Sequence, residues 1–359
     1  MSEQDRNITR RKFISTGIRG VGLVGLGGTV GVVASRYLTG STDENPIGVG
    51  NAPTAHLGDY SKVDPARAGY EEVGQIRTKF QSLRGIAVGP DDHIYIAADQ
   101  RIGVFGKDTS TQSELKLNGS PRCLTVTEEG TVYVGLKDRV EVYNAKGRHE
   151  ASWDELGQNA VLTSIAVSKD DVFVANAGER EVLRYHRSGK FIRHIGKKDK
   201  ARNIPGFVVP SPYFDLAVAP DGLLRVVNPG RHRVEAYTFD GDFELSWGET
   251  SMRIEGFCGC CNPVNFALLP DGKFVTSEKG LPRIKVYDVD GTFVEVVAGP
   301  EHFNQNQKAC CPADRVTPAS LDDVSNCQSG GLDVAVDSQG RVLVLDPVER
   351  IVRIFKPIV

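Results

Sequence analysis

Residues 85–105 read Gly85-Ile86-Ala87-Val88-Gly89-Pro90-Asp91-Asp92-His93-Ile94-Tyr95-Ile96-Ala97-Ala98-Asp99-Gln100-Arg101-Ile102-Gly103-Val104-Phe105. Three short runs rich in apolar, β-branched and aromatic residues alternate with turn residues, which is the signature of short antiparallel strands. The same order returns in Leu124-Thr125-Val126, Glu129-Gly130, Val132-Tyr133-Val134 and Arg139-Val140-Glu141-Val142-Tyr143. Four further copies surround Ile165-Ala166-Val167, Leu216-Ala217-Val218, Phe266-Ala267-Leu268 and Val334-Ala335-Val336, with third strands ending in Tyr185, Tyr237, Tyr287 and Phe355. Asp221-Gly222, Asp271-Gly272 and Gln339-Gly340 mark the turn between the first two strands. A second turn, as at Ser188-Gly189 or Asp240-Gly241, precedes a fourth strand such as Phe191-Ile192-Arg193-His194-Ile195.

Four antiparallel strands repeated six times predict an all-β, six-bladed β-propeller. The copies resemble the NHL-repeat propellers: a small-apolar strand, an Asp-Gly turn, an apolar strand, then Arg-Val-x-Val-Phe and a glycine. The resemblance spans 84–357. Blades 3 and 6 place one extra residue between Arg180 or Arg350 and the closing aromatic, so their third strands are expected to be irregular. The last copy has no fourth strand. Residues 70–80 are therefore expected to supply the outer strand of blade 6, because an open ring would expose unpaired edges.

Between Ala87, Thr125, Ala166, Ala217, Ala267 and Ala335 the spacings are 38, 41, 51, 50 and 68 residues. The surplus falls at 197–212, 249–262 and 300–330, all connecting the outer strand of one blade to the inner strand of the next. Such connections leave the ring on one face, where long loops on a rigid scaffold usually carry function. Two of these insertions hold six of the seven cysteines: Cys258, Cys260 and Cys261 in Gly-Phe-Cys-Gly-Cys-Cys-Asn-Pro, then Cys310, Cys311 and Cys327. They are expected to meet in space. Three chemistries stay open. Clustered thiolates bind soft metals, so the six form a candidate site for an iron–sulfur cluster or another thiolate-bound metal. An oxidising compartment would permit up to three disulfides instead, leaving no cofactor. Adjacent cysteines also suit thiol redox chemistry, since the strained disulfide they form is a reducible one.

Other residues belong to the same rim. Arg84 and Arg122 open inner strands and are candidates to face an anion at the channel mouth. Loops between second and third strands offer Asp99, Asn176, Asn228, His232, Glu278 and Asp346; turn capping accounts for Asp99 and Asp346. His232 and His302 are candidate ligands. Cys123 reads as a compact core residue, and Trp153 and Trp247 as packing between blades.

The 359 residues are 40% hydrophobic and 25% charged with a net charge of −3, which gives no nucleic-acid footprint. Residues 1–35 stand apart. Thr9-Arg10-Arg11-Lys12-Phe13-Ile14 ahead of a Gly-rich apolar run resembles a bacterial twin-arginine export signal, with Val32-x-Ala34 as a cleavage site. Losing residues 1–34 removes five basic and two acidic residues and moves the charge to −6. The apolar run is short of the ~20 residues a bilayer requires, so contact with a membrane is expected only through an uncleaved signal. Residues 36–66 read as a linker and 67–359 as the propeller. The expected location is the periplasm or cell envelope, with a redox or protein partner at the cysteine-bearing face. The leading functional expectation is redox or electron transfer at a thiolate-held metal. The others are a binding scaffold with disulfide-stapled loops, and a metal-dependent lyase or lactonase.

Overall fold

A computed structural model describes residues 62–303 and 331–358. The signal segment, nearly all of the linker, and Cys310, Cys311 and Cys327 lie outside the described residues. What is described forms six antiparallel four-stranded sheets. Blade 1 is β2–β5 (83–116), blade 2 is β6–β9 (123–152) and blade 3 is β10–β13 (162–195). Blade 4 is β14–β17 (216–247), blade 5 is β18–β21 (265–298), and blade 6 joins β22–β24 (333–357) to β1, Tyr70–Arg77.

That last pairing closes the ring, as the sequence predicts. β1 runs antiparallel to β24 from Tyr70 opposite Pro357 to Arg77 opposite Ile351, with one register shift between Glu72 and Gly74. Each inner strand also touches the next around the circle, including β22 against β2. Six buried apolar clusters lie one in each gap between neighbouring blades. Tyr133 and Tyr185 enclose Trp153 between blades 2 and 3, while Phe274 and Tyr287 of blade 5 pack on Trp247 of blade 4. Cys123 is buried in the blade 2–3 gap, where a Cβ on Gly135 would strike its sulfur; the glycine makes room for the thiol.

Polar cross-links stitch the inner strands. Asp215 accepts from the Phe266 amide of the next blade at 2.8 Å, Asp333 accepts from the Ile86 amide at 2.9 Å, and Thr163 donates to the Phe214 carbonyl. Buried donors and acceptors near the channel are thus satisfied across blade boundaries.

One expectation is corrected. The third strands of blades 3 and 6 are regular: they begin at Glu181 and Ile351, four residues before Tyr185 and Phe355, just as Arg233 stands four before Tyr237. Arg180 and Arg350 sit one step earlier, in left-handed turns with φ of 55° and 58°, the position His232 occupies in blade 4. The arginine belongs to the turn, so no residue is extra.

A chain starting at residue 78 lacks β1 and leaves the β24 edge and the apolar gap around Ile76 uncovered. It should aggregate on size-exclusion chromatography, whereas a chain starting at residue 62 should elute as the parent does and melt at the parent's temperature.

Candidate functional site

The loop entering blade 5 is held by one aromatic and one carboxylate. Phe257 is fully buried against Trp247 and Tyr287. Next to it the Cys258 amide donates to Glu278 Oε1 at 2.8 Å. Glu278, at the end of the second strand, has counterparts around the ring. Asp99 accepts from the Ser82 amide, Asn176 from the Val161 amide and Asn228 from the Val208 amide, each in the loop entering its own blade. Asp346 instead caps its own turn through the amides of Val348 and Glu349. Asp99 and Asp346 thus act as backbone acceptors, and among the described residues no group of these side chains is placed to hold a metal ion.

In blade 5 this acceptor is a fully buried carboxylate, which must be paired. Arg283 reaches it in a fork at 2.6 and 2.8 Å, and Lys285 Nζ lies 3.1 Å away. The two cations also tie down the loop backbone: Lys285 donates to the Gly256 carbonyl at 2.6 Å and Arg283 to the Met252 carbonyl at 3.2 Å. Burial is the largest influence on Glu278 and opposes its charge. Lys285 and Arg283 outweigh it, and the carboxyl stays below its usual range. Burial pushes Lys285 down to about 8.

Beyond Cys258 the chain turns through Gly259 (φ 77°) to Cys260 and Cys261. Asn262 fixes this turn, with Nδ2 donating to the carbonyls of Cys258 and Lys279 and Oδ1 accepting from the Lys279 amide. The first of the three sulfurs meets different neighbours from the other two. Cys258 faces Glu278, and burial and that carboxylate push its thiol up to about 11. Cys261 is 2% exposed and lies 3.2 Å from Cys260 Sγ, which is exposed. On its other side stands Ser211, 3.4 Å away, from the insertion entering blade 4. Lys279 Nζ donates to Ser211 Oγ at 2.8 Å while sitting 4.5 Å over the Tyr213 ring. The Cys260 contact, then the Lys279 charge and the Ser211 hydroxyl, overcome burial and bring the Cys261 thiol down to about 5. These neighbours favour the thiolate form.

Two of the three insertions therefore do meet, 197–212 and 249–262. No disulfide joins the four described cysteines. Cys258, Cys260 and Cys261 do not converge on one point, and among the described residues no group of three His, Cys, Asp or Glu is placed to hold a metal ion. The position of Cys310, Cys311 and Cys327 lies outside the described residues. His232 is brought to the site: it is buried, its Nδ1 has no hydrogen-bond partner, and burial lowers its pKa against the charges of Cys261 and Glu278. His302 is not. It stays in its own turn, its ring accepting from the Gly299 amide and packing on Phe355. Arg84 and Arg122 both line the channel mouth, in one cavity with Tyr213.

Sequence reasoning missed Ser211, Lys279, Arg283 and Lys285. One signal was present. Arg283-Ile284-Lys285-Val286-Tyr287 aligns with Arg139-Val140-Glu141-Val142-Tyr143 and Arg233-Val234-Glu235-Ala236-Tyr237, so a lysine replaces glutamate in the one blade whose second strand ends in glutamate.

No family profile matches the chain, and no curated protein does. Among solved structures it is similar to a streptogramin B lyase (TM-score 0.53, 10% identity, 82% of this chain and 100% of that one). It is equally similar to virginiamycin B lyase from Staphylococcus aureus (0.53, 12%, 80% and 100%). A structural genomics protein of unknown function from Bacteroides thetaiotaomicron gives 0.54, 15%, 81% and 73%. The likeness is one of fold. The chain is a six-bladed β-propeller.

Removing the Glu278 charge leaves Arg283 and Lys285 buried without their counter-ion, a change that typically costs about 3–5 kcal/mol. Glu278→Gln should lower the denaturant midpoint accordingly and speed alkylation of Cys258; an unchanged midpoint would show that the cluster does not hold the loop. Cys261 gives a pH signature. Its folded pKa of about 5 lies below the thiol's ordinary 9, so its contribution to stability is full above pH 9 and is lost as pH falls through 5. Parent stability minus that of Cys261→Ser should shrink across that window.

Proposed function

We propose that this is an exported, envelope-side protein whose propeller carries a thiol redox centre at Cys260 and Cys261. One observation carries the reading: Cys261 is buried against Ser211, whose hydroxyl Lys279 holds, in surroundings that favour its thiolate, with the exposed Cys260 sulfur 3.2 Å away. The thiolate is the reactive form of cysteine, and a positively charged microenvironment is what produces it at neutral pH.

The chemistry balances as thiol–disulfide exchange. The Cys260 proton passes to Cys261, and the Cys260 thiolate attacks one sulfur of a partner's disulfide, whose other sulfur leaves as a thiolate. That leaving thiolate takes the proton from Cys261. Cys261 then attacks Cys260 and displaces the partner's first sulfur. That sulfur leaves as a thiolate and takes a proton from solvent, so the partner's disulfide has gained two electrons and two protons and become a dithiol, and the cysteine pair has become a disulfide. The pair's disulfide closes a small strained ring, which favours its own reduction by a dithiol donor and returns the site. Cys260 provides access and Cys261 resolves the mixed disulfide, while Lys279 and Ser211 hold the charge. The natural partner is a dithiol or disulfide protein docking on this face.

A second reading uses the same ionised sulfur as a metal ligand, because thiolates are what soft metals and iron–sulfur clusters take. It requires Cys310, Cys311 or Cys327 to join Cys261. The scaffold reading retains the fold and assigns the site no chemistry. The lyase reading rests on the propeller alone, and two arginines at the channel mouth suit an anion better than a divalent cation.

Protein purified without oxygen decides between them. Under the thiol reading it is colourless, Cys260 and Cys261 titrate reversibly as one two-electron couple, and Cys260→Ser abolishes that couple. The Cys261 thiolate absorbance should titrate near pH 5 and move upward in Lys279→Met. Iron and sulfide in a brown protein would support the cluster. Colourless, metal-free protein with no reversible thiol couple would leave the scaffold.

A further inference from the structure

The central channel opens into a cavity of about 340 Å³ where the inner strands begin. Arg84 and Arg122 enter it from neighbouring blades, and Tyr213 forms part of its wall. Neither arginine side chain forms an ion pair or a hydrogen bond with another described residue. Asp99, a carboxylate beside Arg84 on the rim, is engaged by the backbone amides of Gln81 and Ser82. Arg122 is half-buried, and burial, reinforced by the charge of Arg84, holds its guanidinium below its ordinary value. Two like charges facing one partly desolvated space repel each other unless an anion lies between them.

The remaining wall narrows the class of anion. Val348 presents an exposed apolar side chain to the same cavity, and Leu83, Leu162 and Leu345 back its wall from the core. Asp333, the acidic side chain there, accepts from the amides of Ile86 and Val334, and burial pushes its carboxyl up to about 7. It therefore opposes an incoming anion weakly around neutral pH.

The geometry points to a binding site for a small organic carboxylate at the mouth of the channel, its oxyanion held between Arg84 and Arg122 and its apolar body against the leucine-backed wall. A guanidinium matches a carboxylate with two parallel N–H···O bonds, and a concavity that combines apolar lining with a few placed polar groups is a usual form of small-molecule site. The site is separate from the thiol pair and stands whether or not that pair is redox-active.

Benzoate, benzamide and inorganic phosphate, titrated into the full chain at low salt, test this. Benzoate should raise the melting temperature with concentration, as a ligand of the native state does. Benzamide, of the same shape without the charge, should not, and phosphate, which has no apolar body, should bind at least about tenfold more weakly. Arg84→Ala and Arg122→Ala should each weaken benzoate about tenfold or more, the usual effect of losing a charged hydrogen bond. Unliganded, both variants should melt no lower than the parent, because each relieves repulsion, so lost binding will not be mistaken for lost folding. Equal effects of benzamide and benzoate, phosphate as strong as benzoate, or full benzoate binding in the double variant would each overturn the assignment.

Discussion

The structure depends on a strand borrowed from the far end of the chain. β24 would be a bare edge at the outside of blade 6 without Tyr70–Arg77, and the apolar gap between blades 6 and 1 would be short of Ile76. Every blade is wedged between two others, so all six gaps are filled only when the ring closes. Non-local pairing of this kind carries a loop-closure entropy that only the completed ring offsets. Among the described residues the paired strands leave no blade with fewer than four members.

On that rigid ring, one device positions the loops. A polar side chain ending the second strand accepts a backbone amide from the loop entering the same blade, as Asp99, Asn176, Asn228 and Glu278 do. With asparagine the device is neutral and can be buried cheaply. With Glu278 it brings a full charge into a site of no solvent exposure, which is tolerable only with excellent pairing. Arg283 and Lys285 supply that pairing and spend their remaining donors on the carbonyls of 252–256. The same cluster that neutralises the carboxylate thus anchors the approach to the cysteines.

The cysteines in turn divide by their surroundings. Cys258 shares its space with a carboxylate and is held as a thiol, whereas Cys261, three residues on, faces a lysine and two hydrogen-bonding groups and is held as a thiolate. Identical side chains in one turn thereby take opposite protonation states. Tyr213 joins this site to the channel, since one ring both supports Lys279 and lines the cavity with Arg84 and Arg122.

The fold was legible because a propeller is written in periodicity. Six copies of alternating apolar runs and turn residues report the blade, its turns and the missing outer strand, all local or countable properties. Insertion lengths placed three loops on one rim; Ser211 against Cys261 brings two of them together, and residues 304–330 of the third lie outside the described residues. What remained hidden was direction. Whether Cys258, Cys260 and Cys261 converge depends on the turn at Gly259 and on which charges surround each sulfur, and those charges come from 211, 278, 279, 283 and 285. Arg180 and Arg350 were misread for a related reason: spacing cannot say whether a residue lies in a strand or in the left-handed turn before it. The sequence alone determined the ring; only packing across blades decided which sulfur is ionised, because ionisation is set by neighbours in space and those neighbours are distant along the chain.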